Sequence, residues 1–574
     1  MESNSISVNT VKTTPYTDQK AGTSGLRKKV SVFKQENYLE NFVQSIFNSL
    51  EDSEVIGKAL IVSGDGRYYN DVAIQIIIKL AGARGFGKIV IGQNGLLSTP
   101  AVSAIIRKFN QDAEGSCTGG IVLTASHNPG GENNDFGIKF NSANGGPALE
   151  NLTNSIFEHS KIITEYKLAE VPEVNLAEIH QENPIKIEGF DHEFVVEIIS
   201  STEIYVTLLK SLFDFESIKS LMSRSDFTFA YDGMSGVAGP YAKEIFVTEL
   251  GVSSDSLYGC DPSPDFNNGH PDPNLTYAEN LVKVMGVTIK GGNVAIESTP
   301  DFGAAADGDA DRNMVLGKGF FITPSDSLAI ITANHSDIPH MKEISGVARS
   351  MPTSGAVDIV AKEIGIEVFE TPTGWKFFGN LLDDGKIVIC GEESFGTGSN
   401  HIREKDGIWA VLAWLSIIAK KNSETAVGSL ISAEQIVRDH WSKYGRNYYS
   451  RHDYENLEVE VADKIFRTLE SKMEEFRNEK EGNISDIFEY TDPVDGSTSK
   501  NQGWRFMYAD GSRFVFRKSG TGSSGATIRI YLESYNKDNI SLETSEALKD
   551  LSEKAIEYSE ILKISGREGP TVIT

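Results

Sequence analysis

Residues 58–92 read KALIVSGDGRYYNDVAIQIIIKLAGARGFGKIVIG. A short apolar run enters a polar, Gly-containing loop. A segment with apolar residues at i, i+3/i+4 spacing follows, and a Gly-rich connection leads to a second apolar run. This is strand, loop, helix, strand, the pattern in which crossover helices cover a sheet with parallel strands. The same rhythm returns in FTFAYDGMSGVAGPYAKEIFVTELG (227–251) and ISGVARSMPTSGAVDIVAKEIGIEVFE (344–370). Three spaced copies predict three related α/β mixed-sheet domains. The last part differs: YENLEVEVADKIFRTLESKMEEFRNEK predicts a strand and a charged amphipathic helix, and WRFMYADGSRFVFRKS with ATIRIYLES predicts strands around turns, giving a C-terminal α+β domain. The expected division is 1–205, 206–320, 321–440 and 441–574.

At 574 residues the chain is too long for one core. Its net charge of −27 argues against nucleic acid or an acidic membrane face as partner, so an anionic substrate must be held by local Arg and Lys. Cys117, Cys260 and Cys390 form no CxxC, which suits a reducing compartment. The opening MESNSISVNTVKTTPYTDQK lacks the apolar core of a signal peptide, and no run of about 18 apolar residues occurs. A soluble intracellular protein, not integral to a membrane, is expected.

Four loops carry chemistry. In DGDADRNM (307–314), Asp307, Asp309 and Asp311 stand at i, i+2 and i+4, so an extended segment would turn their carboxylates to one side. Three clustered carboxylates call for a hard cation, Mg²⁺ or Ca²⁺. An EF-hand is excluded, because Arg312 stands at the required Gly and Lys318 at the required Glu. In RKSGTGSSGATIRIY (517–531), Gly520–Gly525 fits GxGxxG, but a β-branched strand follows where a dinucleotide site needs a helix. A turn rich in N–H and hydroxyl groups, flanked by Arg517, Lys518 and Arg529, suits phosphate instead. Gly82–Lys88 has P-loop spacing, yet Ile89 replaces the hydroxyl residue and a strand continues.

The third loop, GEESFGTGSNHIREKDG (391–407), offers Glu392, Ser394, His401, Arg403, Lys405 and Asp406, and TPTGWKFF (371–378) adds Thr373 and Trp375. Acceptors, hydroxyls and an aromatic face suit a sugar. The fourth is IVLTASHNPGG (121–131), with Ser126 beside His127. A hydrolase elbow GxSxG is absent, since Thr124 and Asn128 replace its glycines. Neighbouring side chains on an extended chain also point apart, so His127 is expected to be badly placed to deprotonate Ser126.

These loops, in this order, resemble the α-D-phosphohexomutase superfamily and within it the phosphoglucomutase family. TASHNPGG resembles the phosphoserine loop, DGDADRNM the metal loop, GEESFG the sugar loop in its glucose-specific eukaryotic form, and RKSGTGSSGATIRIY the phosphate loop. GTSGLRKKV (22–30) resembles the family's N-terminal active-site segment. The resemblance implies four domains around a central cleft. It implies a phosphoryl group on Ser126, and Mg²⁺ held by Ser126, Asp307, Asp309 and Asp311. The implied substrate contacts are Thr23, Arg27, Arg312, Thr373, Gly374, Glu392, Ser394 and Lys405. Phosphate would be held by Arg517, Ser519, Gly520, Thr521 and Arg529. The general base is left open among Lys405, Lys139, His127 and Arg27.

The implied activity is interconversion of glucose 1-phosphate and glucose 6-phosphate through glucose 1,6-bisphosphate, by a cytoplasmic monomer or weak dimer. Alternatives are a phosphomannomutase, a glucose-1,6-bisphosphate synthase, or a parafusin-type scaffold in membrane fusion. Two departures from the family pattern stand out: Ala310 replaces a common Gly, which disfavours positive φ there, and Lys518 adds charge expected near the phosphate turn.

Overall fold

The computed structural model describes residues 5–22, 24–520 and 525–574. Thr23 and Thr521, both expected to contact ligand, lie outside the described residues. The chain forms two compact units: Met1–Phe321 with Ser336–Glu343 and Phe395–Ser432, and Ile322–His335 with Ile344–Ser394 and Ala433–Thr574.

In the first unit, the strands Cys117–Leu123, Ala59–Gly64, Lys88–Gly92 and Glu193–Ile199 run parallel in that spatial order. Asp135–Asn141 joins antiparallel beside Cys117–Leu123, and Leu26–Lys29 pairs antiparallel outside it. Leu60, Val62, Ile89, Ile91, Ile121 and Leu123 share one cluster with Ile74, Ile77 and Ile78 of the helix Asn70–Arg84. Ile61, Val90 and Val122, between them, are equally buried. Both faces are therefore covered, as strands read as continuous apolar runs require. The P-loop-like segment is the end of this helix and its connection to Lys88–Gly92.

A second sheet of the same unit places Phe229–Asp232 parallel between Leu257–Tyr258 and Phe302–Ala306. Phe302–Ala306 then pairs antiparallel with Asn313–Gly317. Residues 307–312 are thus the link of a buried hairpin. The segment Phe395–Ser432 joins this unit through the helix Gly407–Asn422, whose sequence GIWAVLAWLSIIAKKN is apolar on nearly every side and buried accordingly. Asp406 caps it, accepting from Trp409 N at 2.9 Å.

In the second unit, Gly346–Ser350 runs parallel between Glu367–Thr371 and Ile389–Glu392. A separate antiparallel sheet follows the order Ile484–Ile487, Trp504–Met507, Arg513–Gly520, Ala526–Asn536, Arg446–Leu457 and Val572–Ile573. The helix Val459–Glu479 packs Ile465, Phe466, Leu469 and Phe476 into that sheet's core. The architecture is three α/β segments and a C-terminal α+β segment. No described helix is long and apolar enough to cross a membrane.

Candidate active site

The parallel strands Ala59–Gly64 and Cys117–Leu123 end side by side, and their exits build the serine loop at the carboxyl edge where α/β sheets place ligands. Thr124 Oγ1 donates to Asp65 Oδ2 at 2.6 Å and accepts from Ser126 N at 2.7 Å. Arg67 donates to Ser126 O at 2.8 Å and Asp135 O at 2.9 Å, and its Nε reaches Asp65 Oδ2 at 2.9 Å. Both members of this ion pair are fully buried. Burial raises the Asp65 carboxyl above its usual range, with Arg67 acting against that shift.

Ser126 itself has φ +52°. That corrects the expectation of an extended chain. The left-handed residue curls the backbone, so Ser126 Oγ lies 3.3 Å from His127 Nδ1 and donates to Asp307 Oδ2 at 2.9 Å. Burial, then Arg312 and Arg27, hold the His127 pKa well below the ordinary histidine value, disfavouring the charged ring.

The metal loop also departs from the extended reading. Residues 307–312 turn, with Ala310 at φ +63°, and it is this turn that gathers Asp307, Asp309 and Asp311. One ligand oxygen from each lies within 4.8 Å of the others, and all three residues are buried. Burial, reinforced by Asp309 and Asp311, pushes the Asp307 carboxyl well above its usual range. Asp309 is held below it: burial opposes ionisation, but Lys139, the Thr99 hydroxyl and Lys405 outweigh burial. Thr99 Oγ1 donates to Asp309 Oδ2 at 2.7 Å. Asp309 Oδ1 and Asp311 Oδ1 are buried with no hydrogen-bond partner among the described residues. An oxygen-only donor set with unpartnered buried carboxylate oxygens fits a hard divalent cation.

Cations ring this acidic centre. Lys405 Nζ lies 3.2 Å from Asp311 Oδ2, and Arg312 Nη1 lies 3.5 Å from Asp272 Oδ1. Arg27, on the strand Leu26–Lys29, is lowered in pKa by burial, and Asp309 acts against that shift. Lys139, on Asp135–Asn141, pairs with Glu404 at 3.1 Å, and Asn141 Nδ2 donates to the same Glu404 oxygen at 2.9 Å. Ser126, His127, Arg27, Lys139, Arg312, Lys405 and the three aspartates therefore all belong to the first unit. Glu404, Thr99, Arg67 and Asp65 also belong to this constellation and were not singled out from sequence. His401 and Asp406 instead form a buried structural network, His401 Nδ1 lying 2.7 Å from Ser399 Oγ and Nε2 2.9 Å from Asp406 Oδ2.

Thr373, Gly374, Glu392, Ser394, Arg517, Ser519, Gly520 and Arg529 belong to the second unit. Gly374 N donates to Glu392 Oε1 at 2.9 Å, joining two of the sugar candidates. Thr373 Oγ1 is buried with no hydrogen-bond partner among the described residues. Glu393 accepts from Ser350 Oγ at 3.1 Å, which fixes the start of the sugar loop. In the antiparallel pair Arg513–Gly520 and Ala526–Asn536, Arg517 stands directly opposite Arg529 and Ser519 opposite Thr527. Two like charges opposed on one sheet face are unfavourable alone and favour an anion. Arg517 donates to Tyr531 OH at 3.2 Å, and Arg529 lies 3.5 Å from Asp453. Lys518 is a correction. Strand alternation turns it to the opposite face, where it pairs with Asp463 at 2.5 Å instead of adding charge to the phosphate turn.

Family models match along nearly the whole chain: phosphoglucomutase/phosphomannomutase α/β/α domain I at 18–167, domain II at 203–319 and domain III at 324–444, and the phosphoglucomutase-1 C-terminal domain at 446–571. The chain is 55% identical over 585 residues to the cytoplasmic phosphoglucomutase of Populus tremula, covering 99% of this chain and 100% of that protein. It is 55% identical over 579 residues to that of Bromus inermis, covering 98% of both. The open-form crystal structure of the exocytosis-sensitive phosphoprotein pp63/parafusin, a phosphoglucomutase from Paramecium, superposes with a TM-score of 0.93 at 53% identity, covering 100% of each chain.

Proposed function

The chain belongs to the phosphoglucomutase family, and from that premise we propose that it interconverts glucose 1-phosphate and glucose 6-phosphate through phosphorylated Ser126 and glucose 1,6-bisphosphate. The observation that carries this reading is Ser126 Oγ donating to Asp307 Oδ2 at 2.9 Å, at the edge of a buried carboxylate triad. A serine there is held as a phosphoryl carrier.

In this reading the 6-hydroxyl of glucose 1-phosphate attacks the phosphoryl group. The bond from phosphorus to Ser126 Oγ breaks, a bond to the sugar oxygen forms, the hydroxyl proton passes to one of Lys405, Lys139, His127 or Arg27, and Ser126 Oγ takes up a proton as it leaves. After the bisphosphate turns over, Ser126 takes back the 1-phosphoryl group and glucose 6-phosphate leaves. Mg²⁺, held by Asp307, Asp309, Asp311 and the Ser126 phosphoryl group, would supply positive charge against the charge that develops during transfer. Thr373, Glu392 and Ser394 hold sugar hydroxyls, Thr23 and Gly374 add substrate contacts, and Arg517, Ser519, Gly520, Thr521 and Arg529 hold the resting phosphate. Arg27, Arg312 and Lys405 complete the substrate contacts.

Residues 1–205 then supply the serine loop, 206–320 the metal loop, 321–440 the sugar loop and 441–574 the phosphate loop. The chain would act as a monomer or weak dimer. A cytoplasmic location follows the relatives' names.

The test is a coupled assay with purified protein, Mg²⁺ and a trace of glucose 1,6-bisphosphate. Glucose 1-phosphate is expected to become glucose 6-phosphate. No turnover would overturn the reading, and faster turnover of mannose 1-phosphate would reassign the sugar.

A further inference from the structure

The turn Ser263–Gly269 belongs to none of the four ligand loops, yet its backbone is unusual. Phe266, Asn267 and Asn268 take positive φ in succession, at 52°, 54° and 60°. Asn tolerates this region, whereas a bulky aromatic residue there is an outlier. The surroundings over-determine the conformation. Asn267 N donates to Asp265 Oδ1 at 3.0 Å and Asn267 Nδ2 to Ser235 Oγ at 2.7 Å. Asn268 N donates to Asp265 O at 3.0 Å, and Tyr68 N ties the turn to the serine-loop side through Pro264 O at 2.9 Å.

The outcome is the placement of one ring. Phe266 is 2% exposed. A Cβ on Gly130, in the serine loop, would meet its Cε2 at 2.8 Å. A Cβ on Gly308, in the metal loop, would meet its Cζ at 3.1 Å and Ser126 O at 2.8 Å. The ring therefore fills the space between two backbones that can carry no side chain at those points. Its face lies 5.1 Å from the guanidinium carbon of Arg67, the group that holds Ser126 O.

We propose that Phe266 is a positioning residue whose ring sets the spacing between the serine loop and the metal loop. The proposal rests on the mutase reading of that site. An ordinary core residue would change stability and leave transfer in the folded protein untouched. A wedge changes where Ser126 stands relative to the three carboxylates, and misplacement on the scale of an ångström costs on the order of 10²-fold in rate.

The test compares the full chain with Phe266→Leu and Phe266→Met, each checked for folding by thermal melting. Gly130→Ala, which presses a methyl group against the ring from the other side, decides if neither folds. The expected result is kcat for glucose 1-phosphate lower on the order of 10²-fold, with KM within about twofold. Mn²⁺ binding, titrated without substrate, is expected to weaken several-fold. A folded variant with the original kcat, or one in which only KM changes, overturns the proposal. If the unsubstituted protein itself turns over no glucose 1-phosphate, the mutase reading fails separately. The Mn²⁺ titration then decides: weaker binding in the variants supports the wedge, and unchanged binding overturns it.

Discussion

The serine and metal region of the first unit and the sugar and phosphate region of the second have opposite electrostatic needs. In the first, three buried aspartates stand together, two of their oxygens lack a partner among the described residues, and Asp307 is pushed up by burial and by its neighbours. In the second, Arg517 and Arg529 stand opposite one another on adjacent strands of one sheet. Neither arrangement is favourable by itself: one favours a cation, the other an anion. That contrast fits the proposed division of labour, with transfer chemistry in the first region and phosphate recognition in the second.

The contrast breaks most visibly at the carboxylates. Asp309→Asn removes a charge from the triad and should lower kcat on the order of 10²–10³-fold, the size found when one group stabilising developing charge is lost. Steady-state kinetics across a Mg²⁺ series checks this, and a change confined to KM would contradict the division. In the second unit the effect should fall on KM instead. Arg529→Gln removes a charged hydrogen bond worth about 1.5–3 kcal/mol, so KM should rise about 10–150-fold. Lys518→Ala, one residue beyond Arg517 but on the opposite face, should change KM less than about twofold. Equal effects from Arg529 and Lys518 would refute the strand-face assignment.

The smallest effect concerns the metal turn's backbone. Ala310 at φ +63° bears a left-handed cost of about 1–2 kcal/mol, part of which Gly would return through its own chain entropy. Ala310→Gly should raise the thermal midpoint by about 1–2 °C. A lower midpoint would show that the turn does not strain Ala310.

Much of this molecule was legible as sequence. Apolar runs and helix spacing foretold the α/β segments, and acidic, Gly-rich and hydroxyl-rich loops marked the candidate site. Local periodicity does not reveal turns whose purpose is tertiary. DGDADR read as extended, yet Ala310 bends it. IVLTASH read as a strand exit with diverging side chains, yet the positive φ of Ser126 brings His127 close. Residues that support the site from a distance left no signal. Thr99 meets Asp309 across 210 positions and Glu404 meets Lys139 across 265, so no window contains both partners. Lys518 sits beside the turn in sequence, but strand alternation, which proximity in sequence does not convey, directs it to Asp463.

The central claim is that Ser126 carries a phosphoryl group that it gives to and recovers from a hexose phosphate. The most direct measurement is intact-mass analysis of the purified protein and of Ser126→Ala, before and after excess glucose 6-phosphate. The account predicts one phosphoryl group on the unsubstituted protein, diminished by the sugar phosphate as the bisphosphate appears, and none on the variant. A phosphoryl group that persists on Ser126→Ala, or one that the sugar phosphate never removes, would contradict it.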